Sequence, residues 1–338
     1  MWVWSLSIYL MGEKMKTKIF FYLKQISIKT LKILGVVLLV SVLYAGYFVY
    51  PFLKENTVIL RMSAGLGNQL FQYSAAYAFA KKTNSKFYIS IPEYYANSTN
   101  KISTDRKFGL YKFGIKKEQI IFDSPANQFL FKILRIFRNK NFILVNEKNF
   151  FNFNSSKTKK IYFIRGYFED TKYFENDEKE IKELFNVKHL VSARTVDLVK
   201  KLQQKNSVCI HVRLGDWVIY RGELHNNYYY EAVKIIKNKI KDPEFYVFSD
   251  EPKKAKKKFK DFKGFNYMNN KNLLPIDDFF LLANCTNNIN SQSSFNWWSS
   301  FLNSNLEGVV VTVRFRGYHK NWIKLDDIKF SRDNYKNY

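Results

Sequence analysis

Short apolar runs that end on polar, turn-forming residues recur along this chain, and a stretch of helical periodicity follows most of them. Thr57 to Met62 reads as a strand. After a turn over Ser63 to Gln69, the apolar positions Leu70, Phe71, Tyr73, Ala76, Tyr77, Phe79 and Ala80 form one helical stripe that closes at Lys81 and Lys82. Lys86 to Ile91 is a second strand, and Ile161 to Phe168 is a strand running into a turn. Helical stretches over roughly 173–185 and 192–204 lead to Ser207–Val212, a run with the β-branched character of a buried strand. The alternation then repeats, with helices near 226–241, 252–260 and 277–285, strands near 245–250, 287–290 and 309–314, and a helix opening at Ser291. Strands alternating with helices predict parallel sheets. The boundary falls near Lys205, giving an N-terminal Rossmann-like domain over 56–204 and a C-terminal one over 205–338. The segment from about 94 to 160, rich in Asn, Lys and Phe, carries no motif.

The N-terminus follows a different pattern. Ile33 to Leu53 is uncharged for 21 residues, long enough to span a bilayer as a helix. Lys14, Lys16, Lys18, Lys24, Lys29 and Lys32 crowd its leading flank, whereas only Lys54 and Arg61 follow closely. The positive-inside rule then makes residues 1–32 a cytosolic basic tail and 33–53 a transmembrane signal anchor, with everything from about residue 55 on the far side. Because the span begins only after Lys32, a cleaved signal peptide fits poorly. A hydrophobic core helix is the other reading of the same run.

Composition adds two constraints. Hydrophobic residues at 46% and aromatics at 18% exclude general disorder across the 338 residues. The formal charge of +26 suggests an anionic partner, such as nucleic acid, a membrane surface or a phosphorylated small molecule. Nucleic acid is the weaker of these, since no helix-turn-helix, RNP or zinc-finger spacing accompanies the charge. Cys209 and Cys285 are the two cysteines, each inside an apolar segment. Two buried free thiols are the expectation, with neither a disulfide framework nor a zinc site built on that count.

Candidate chemistry gathers where the strands stop. Val208–Trp217 places His211, Arg213 and Asp216 at one strand end, followed by a Gly-containing turn. In an open parallel sheet ligands bind outside the carboxyl ends of the strands, where a guanidinium can grip phosphate or carboxylate with paired hydrogen bonds. An Arg–Asp ion pair closing a turn explains the same residues. Ser249 and Asp250 end a second strand, where a carboxylate can accept from a ribose, a base edge or a neighbouring Arg. Ser293 and Ser294 open a helix, as phosphate contacts or as simple caps. Gly65 and Gly67 let backbone amides approach a ligand at the first helix start, but Leu70 stands where the dinucleotide fingerprint has its third glycine and no P-loop Lys follows. Tyr167 and Phe168, beside Glu169 and Asp170, suit the stacking of sugars or bases, or core packing. Four such junctions together point to two Rossmann-like layers facing a cleft built for a nucleotide-linked donor.

In these residues the chain resembles glycosyltransferase family 11, the α-1,2-fucosyltransferases. AGLGNQLFQYSAAYAFA looks like the family's GGLGNQLFQYAAGRALA, CIHVRLGDW like its HxRRGDY, FYVFSDEPKKAKKKF like its FSDD segment, and SQSSFNWW like NSSFSWW. GYFEDTKYF is similar to the family's GYWQSEKYF. The resemblance implies a GT-B enzyme that transfers L-fucose from GDP-fucose to the 2-hydroxyl of a terminal galactose on a glycan, inverting the anomeric centre without an essential metal or other cofactor. It implies that Arg213 holds the β-phosphate, that His211 and Asp216 shape the same pocket, and that Ser249, Asp250, Ser293, Ser294 and Phe295 line the GDP site. Gly65, Gly67, Asn68 and Gln69 would close it from the first domain. No Asp-x-Asp occurs, so Arg and helix termini take the part of a cation at the leaving diphosphate. Asp216, Glu169 and Asp170 are the candidate bases for the acceptor hydroxyl. Leu214 stands where the family has a second Arg, Gln292 where it has Asn, Glu251 where a second Asp is common, and Ser63-Ala64 where it has Gly-Gly.

With the anchor, the resemblance implies a single-pass type II protein of the Golgi membrane with a lumenal catalytic part. Sequons at Asn97, Asn154 and Asn284 are compatible with that location. The rival readings are a catalytically inactive nucleotide- or sugar-binding relative, made thinkable by Leu214, a basic nucleic-acid or anionic-membrane binder, and, more distantly, a Rossmann dehydrogenase.

Overall fold

Apolar segments that cannot all face one side of a sheet become parallel strands covered by helices on both faces, and two such sheets form here. The computed structural model describes residues 30, 32–37, 39, 40, 43, 54–91, 108–113, 115, 119–121, 141–156, 158–186, 188–215, 218, 222–268, 274–305, 307–313 and 321–325. The chain divides into two compact units, Met1–Lys54 and Glu55–Tyr338. In the first unit the described residues from 32 to 43 are helical, and Ile33, Leu34, Val36, Val37, Leu39, Val40 and Leu43 expose their side chains. Among the described residues no helix is long and apolar enough to cross a membrane. The remainder of the expected span and nearly all of the basic tail lie outside the described residues.

The second unit begins with β1 (Thr57–Arg61), α1 (Leu66–Lys82) and β2 (Lys86–Ser90), followed by the short β3 (Ile120–Ile121). Lys81 and Lys82 sit in the last turn of α1, where cations oppose the helix dipole. The motif-poor segment supplies β3 and β4 (Phe142–Val145), and β5 is Ile161–Ile164. These five strands are all parallel, in the order β3-β2-β1-β5-β4. Helices α2 (Glu178–Leu184) and α3 (Ala193–Gln203) lead to the second sheet, and Ser192 accepts from the Thr195 amide at the start of α3.

The second sheet opens with β6 (Ser207–Val212), buried at every position. Then come α4 (Asn226–Lys239), β7 (Glu244–Ser249), α5 (Pro252–Lys258), β8 (Phe265–Tyr267), α6 (Pro275–Ala283), β9 (Asn287–Asn290), α7 (Ser294–Phe301), β10 (Val310–Val313) and β11 (Ile323–Leu325). All six strands are parallel, in the order β11-β10-β9-β6-β7-β8. Winding runs outward from β6 in one direction and from β9 in the other. The carboxyl ends of β6 and β9 therefore flank the switch point where Rossmann sheets open a crevice. The architecture is α/β with two parallel sheets.

The strands sort on either side of Lys205, but the cores do not. The ring of Phe71 on α1 lies 4.5 Å from Trp297 and 5.0 Å from Trp298 of α7, centroid to centroid. Trp298 also stacks on Phe174 at 5.5 Å and meets Phe185 edge-on at 5.5 Å. On α3, Thr195 donates to Asp277 of α6 at 2.7 Å in a buried contact. Helices α6 and α7, expected within the C-terminal domain, thus complete the core of the first sheet, because their aromatic faces are matched by rings on α1 and after β5. Cys209 and Cys285, expected as separate thiols, form a disulfide with Cα atoms 6.0 Å apart. Pairing of β6 with β9 puts Cys209 opposite Asn288, and Cys285 lies three residues before that position, within bonding reach.

Truncating Trp298 removes a fully buried ring shared by both halves. Trp298→Ala should lower unfolding free energy by about 3–5 kcal/mol, and Trp298→Phe, which keeps a ring, by much less; urea titration followed by circular dichroism checks both.

Candidate functional site

The carboxyl ends of both sheets open onto one cleft of about 380 Å³. From the first half come Gly65, Leu66, Gly67 and Asn68 at the start of α1, and Glu169 beyond β5. His211 and Arg213 enter from β6, and Ser249 and Asp250 from the end of β7. Ser293, Ser294 and Phe295 line it at the start of α7, joined by Gln292 and by Asp278 of α6.

Asp250 organises the loop that carries Arg213. One of its oxygens accepts from the Leu214 amide at 2.8 Å, and the other accepts from the Gly215 amide at 3.0 Å. The second oxygen also pairs with Arg213 Nη1 at 2.7 Å. A Cβ on Gly215 would collide with this carboxylate, coming within 3.2 Å of its Cγ. The ion pair is made with Asp250 of the neighbouring strand end, and the guanidinium still borders the cleft; the pair with Asp216 that the turn itself offered falls outside the described residues. Leu214 points the other way. Period-two alternation past β6 sends His211 and Arg213 to the cleft and Leu214 into the core of the second sheet, where it is 7% exposed. The leucine side chain therefore does not line the cleft.

Beneath the cleft runs a buried polar chain. His211 Nδ1 lies 2.8 Å from Ser291 Oγ, and the Ser291 amide donates to Asn296 Oδ1 at 2.9 Å. Asn290 Oδ1 accepts from Asn296 Nδ2 at 2.5 Å and from Ser300 Oγ at 2.8 Å. Tyr228 OH donates to the Asn290 carbonyl. These contacts fix the end of β9 and the start of α7 relative to β6. Burial, helped by Arg213 and outweighing the raising effect of Asp250, lowers the His211 pKa to about 4, so the imidazole is neutral at pH 7. A neutral ring beside Arg213 adds no competing cation to the cleft.

The two halves touch at Gly67. A Cβ there would collide with the Ser294–Phe295 peptide, within 2.7 Å of the Ser294 carbonyl oxygen. Ser294 Oγ donates to Asn68 Oδ1 at 2.6 Å across the same seam. Ser293 is the N-cap residue of α7 but makes no side-chain cap bond. Neither serine acts as the simple cap that the sequence allowed.

Some expected residues sit elsewhere. Gln69 is fully buried and does not line the cleft. Its amide donates to the Ala64 carbonyl at 2.9 Å and its Oε1 accepts from the Gly109 amide at 2.9 Å, bracing the loop instead of facing a ligand. Phe168 is fully buried, packed on Phe150 and Tyr173, and offers no stacking face, whereas Tyr167 is 49% exposed. Asp170 caps the next turn by accepting from the Lys172 amide at 3.0 Å. Asp216 lies outside the described residues.

Asp278 was missed by sequence reasoning. Burial, reinforced by neighbouring Asp277, pushes its carboxyl up to about 6. Asp277 itself accepts from the Leu274 amide at 2.8 Å and secures the first turn of α6. The acidic pair at the start of a helix reads as ordinary capping, and only the fold turns one member toward the cleft. Among the described residues no group of three or more His, Cys, Asp or Glu side chains could hold a metal ion.

A cleft at the switch points of two parallel sheets, with a guanidinium, a helix amino terminus and several carboxylates around it, belongs to a two-layer α/β protein that handles an anionic ligand. The chain is a member of glycosyltransferase family 11, whose sequence model matches residues 38–330; it is a glycosyltransferase. Similar proteins include the O-antigen biosynthesis glycosyltransferase WbnK of Escherichia coli, 28% identical over 78% of this chain and 97% of that protein. An alpha-1,2-colitosyltransferase of Escherichia coli is 26% identical over 76% of this chain and 91% of its own length. Among solved structures, the NodZ alpha-1,6-fucosyltransferase soaked with GDP-fucose, from a protein also crystallised from Bradyrhizobium, has a TM-score of 0.42 at 14% identity, covering 74% of this chain and 93% of NodZ. A variant of Arabidopsis thaliana FUT1 in complex with GDP has a TM-score of 0.46 at 10% identity, covering 80% of this chain and 74% of that one. Neither overlap is close enough to transfer residue roles.

The buried neutral histidine ties stability to pH. Its folded pKa lies below the usual 6.5, so the unfolded chain binds the extra proton between pH 6.5 and 4 and stability falls as pH falls through that window. At pH 5 the loss should be about 2 kcal/mol. Asp278, shifted upward, works in the opposite sense, so the comparison must be between variants. The drop in urea stability from pH 7.5 to pH 5 should be smaller in His211→Asn than in the unmodified protein.

Proposed function

We propose that this glycosyltransferase moves L-fucose from GDP-fucose to the 2-hydroxyl of a terminal galactose on a glycan, with inversion and without an essential metal. The observation that carries the reading is the Arg213 guanidinium, held by Asp250 at the edge of the cleft that also receives the start of α7. Breaking a sugar–phosphate bond leaves negative charge on the departing diphosphate. A fixed guanidinium and outward-pointing helix amides lower the barrier if they stand where that charge develops. Membership of family 11 supports transfer of a sugar, and the name of one relative carries a 1,2 linkage. That same name is for colitosyl transfer, so the identity of the sugar rests on the resemblance of the motifs. Ser249, Ser293 and Ser294 offer hydroxyls to the diphosphate or ribose, and His211 remains a neutral neighbour.

The reading also keeps the N-terminal anchor. Exposed Ile33, Leu34, Val36 and Val37 on a helical stretch suit a lipid environment, and the lysines before them suit the cytosolic side. We place the catalytic unit in the Golgi lumen. The Cys209–Cys285 bond suits an oxidising compartment, while the bacterial relatives lend the Golgi no support.

The test is transfer by the detergent-solubilised full chain from GDP-fucose to a panel of galactose-terminated acceptors, with EDTA present and product linkage determined. Arg213→Ala should lower turnover by at least about 100-fold while the urea midpoint stays close to that of the unmodified protein; retained activity would count against the assignment. Location has its own test. Asn154 is exposed, whereas the Asn284 side chain donates to the Phe280 carbonyl at 2.8 Å, and Asn97 lies outside the described residues. In a eukaryotic secretory system the protein should show an endoglycosidase-sensitive mass shift that Asn154→Gln removes. Its absence from the unmodified protein would argue for a cytosolic catalytic unit.

A further inference from the structure

The segment that carries Arg213 is held at two places by consecutive residues of the turn after β9. Ser291 Oγ lies 2.8 Å from His211 Nδ1, just before the arginine, and Gln292 Nε2 donates to the Gly222 carbonyl at 3.2 Å, well after it. Between these points the Asp250 carboxylate accepts from the Leu214 and Gly215 amides. The Val218 amide donates to the Gly215 carbonyl at 3.1 Å, and the Gly222 amide donates to the Val218 carbonyl at 2.9 Å. A series of hydrogen bonds thus runs from Asp250 through the loop to Gln292. Loops of this size whose ends lie close together often carry functional groups.

Gln292 is 6% exposed and borders the cleft next to Ser293 and Ser294. Its Oε1 is buried and has no hydrogen-bond partner among the described residues. An unsatisfied buried acceptor costs stability that an apolar side chain of similar size would not. The bond from Nε2 to Gly222 is therefore the contact that accounts for an amide at this position. In the NSSFSWW segment that SQSSFNWW resembles, the residue is Asn. Asn is one methylene shorter, and from the same backbone it would fall short of the Gly222 carbonyl. The loop itself departs from the family at Leu214, and Arg213 is the one Lys or Arg among the described residues that line the cleft. With a single cation available, its placement carries more of the electrostatic work.

We propose that Gln292 is a positioning residue that closes the Arg213 loop and fixes the guanidinium relative to the amino end of α7; this rests on the transfer from GDP-fucose proposed above. Ser293 and Ser294 follow Gln292 directly, and Ser294 is tied to Asn68 of the first half, so the loop is fastened to a fixed frame. Released from Gly222, the loop keeps its Asp250 contacts but loses its far attachment. The guanidinium then samples more positions, and a donor that must be reoriented as charge develops on the diphosphate stabilises that charge less. A direct contact between Gln292 and the nucleotide would act independently of Arg213, whereas a positioning role acts only through it. That difference is measurable by combining the two substitutions.

The experiment uses the detergent-solubilised full chain and compares Gln292→Asn and Gln292→Leu, each alone and combined with Arg213→Ala. Calorimetry with GDP and with GMP, which lacks the β-phosphate, is set beside kcat and KM for GDP-fucose. Gln292→Asn should weaken GDP binding by about 10-fold and lower kcat by about 10- to 100-fold, with GMP affinity unchanged. Gln292→Leu should match it, since both variants lose the Gly222 bond. In the Arg213→Ala background the same substitutions should change GDP affinity by less than about twofold, because the group they act through is gone. Unaltered GDP affinity in Gln292→Asn, an equal loss for GDP and GMP, or the full loss in the Arg213→Ala background overturns the positioning role while leaving the fucosyl-transfer reading intact. An unmodified protein that neither binds GDP nor transfers fucose overturns both.

Discussion

Gly67 has no side chain, and the backbone of Ser294 and Phe295 occupies the space where one would stand. That approach fixes the site. It sets the turn after β1 directly against the turn after β9, so the carboxyl ends of two separate sheets share one floor, and Asn68 and Ser294 tie the seam with a hydrogen bond. Below the seam, Trp297 and Trp298 carry the contact into the core around Phe71 and Phe174. A Cβ at position 67 would have to push one backbone segment off the other, and with it the start of α7 and the rings behind it.

Charge in the cleft is arranged by partners rather than by number. Arg213 is steered by Asp250, whose carboxylate also holds the Leu214 and Gly215 amides, so a single acidic group sets both the loop and its cation. Burial keeps His211 neutral next to that guanidinium, and hydrogen bonding to Ser291 links it to the Asn290–Asn296 chain. Buried polar chains of this kind are costly when incomplete and rigid when closed. Here the links converge on the strand end and helix start that border the cleft. The turn after β5 follows the same logic, with the Glu147 carboxylate and a buried Phe168 ring dictating a backbone turn that neither would impose alone.

Among the described residues that line the cleft, Arg213 is the one Lys or Arg. Ion pairs such as Lys205–Glu244 and Lys200–Asp197 lie on exposed surfaces, where they contribute about 0–1 kcal/mol. The cleft chemistry depends on one guanidinium, because Arg213 has a partner that aims it and a low-dielectric floor beside it.

Much of this could be read from the sequence because it is local. Apolar runs ending on Arg213 and Asp250 announce strand ends, and strands alternating with helical stripes announce parallel sheets, since periodicity and turn chemistry act over a few residues. The motif segments were enough to assign the family. What needed tertiary structure depends on contacts between distant residues. Sharing of α6 and α7 with the first core, the bond between Cys209 and Cys285, the burial of Gln69 and Phe168, and the turning of Asp278 and Glu169 into the cleft arise from partners that no window of sequence contains. Leu214 shows the division most simply: its position beside Arg213 was plain from the sequence, but pleating of the chain past β6 decided that the two neighbours face opposite ways.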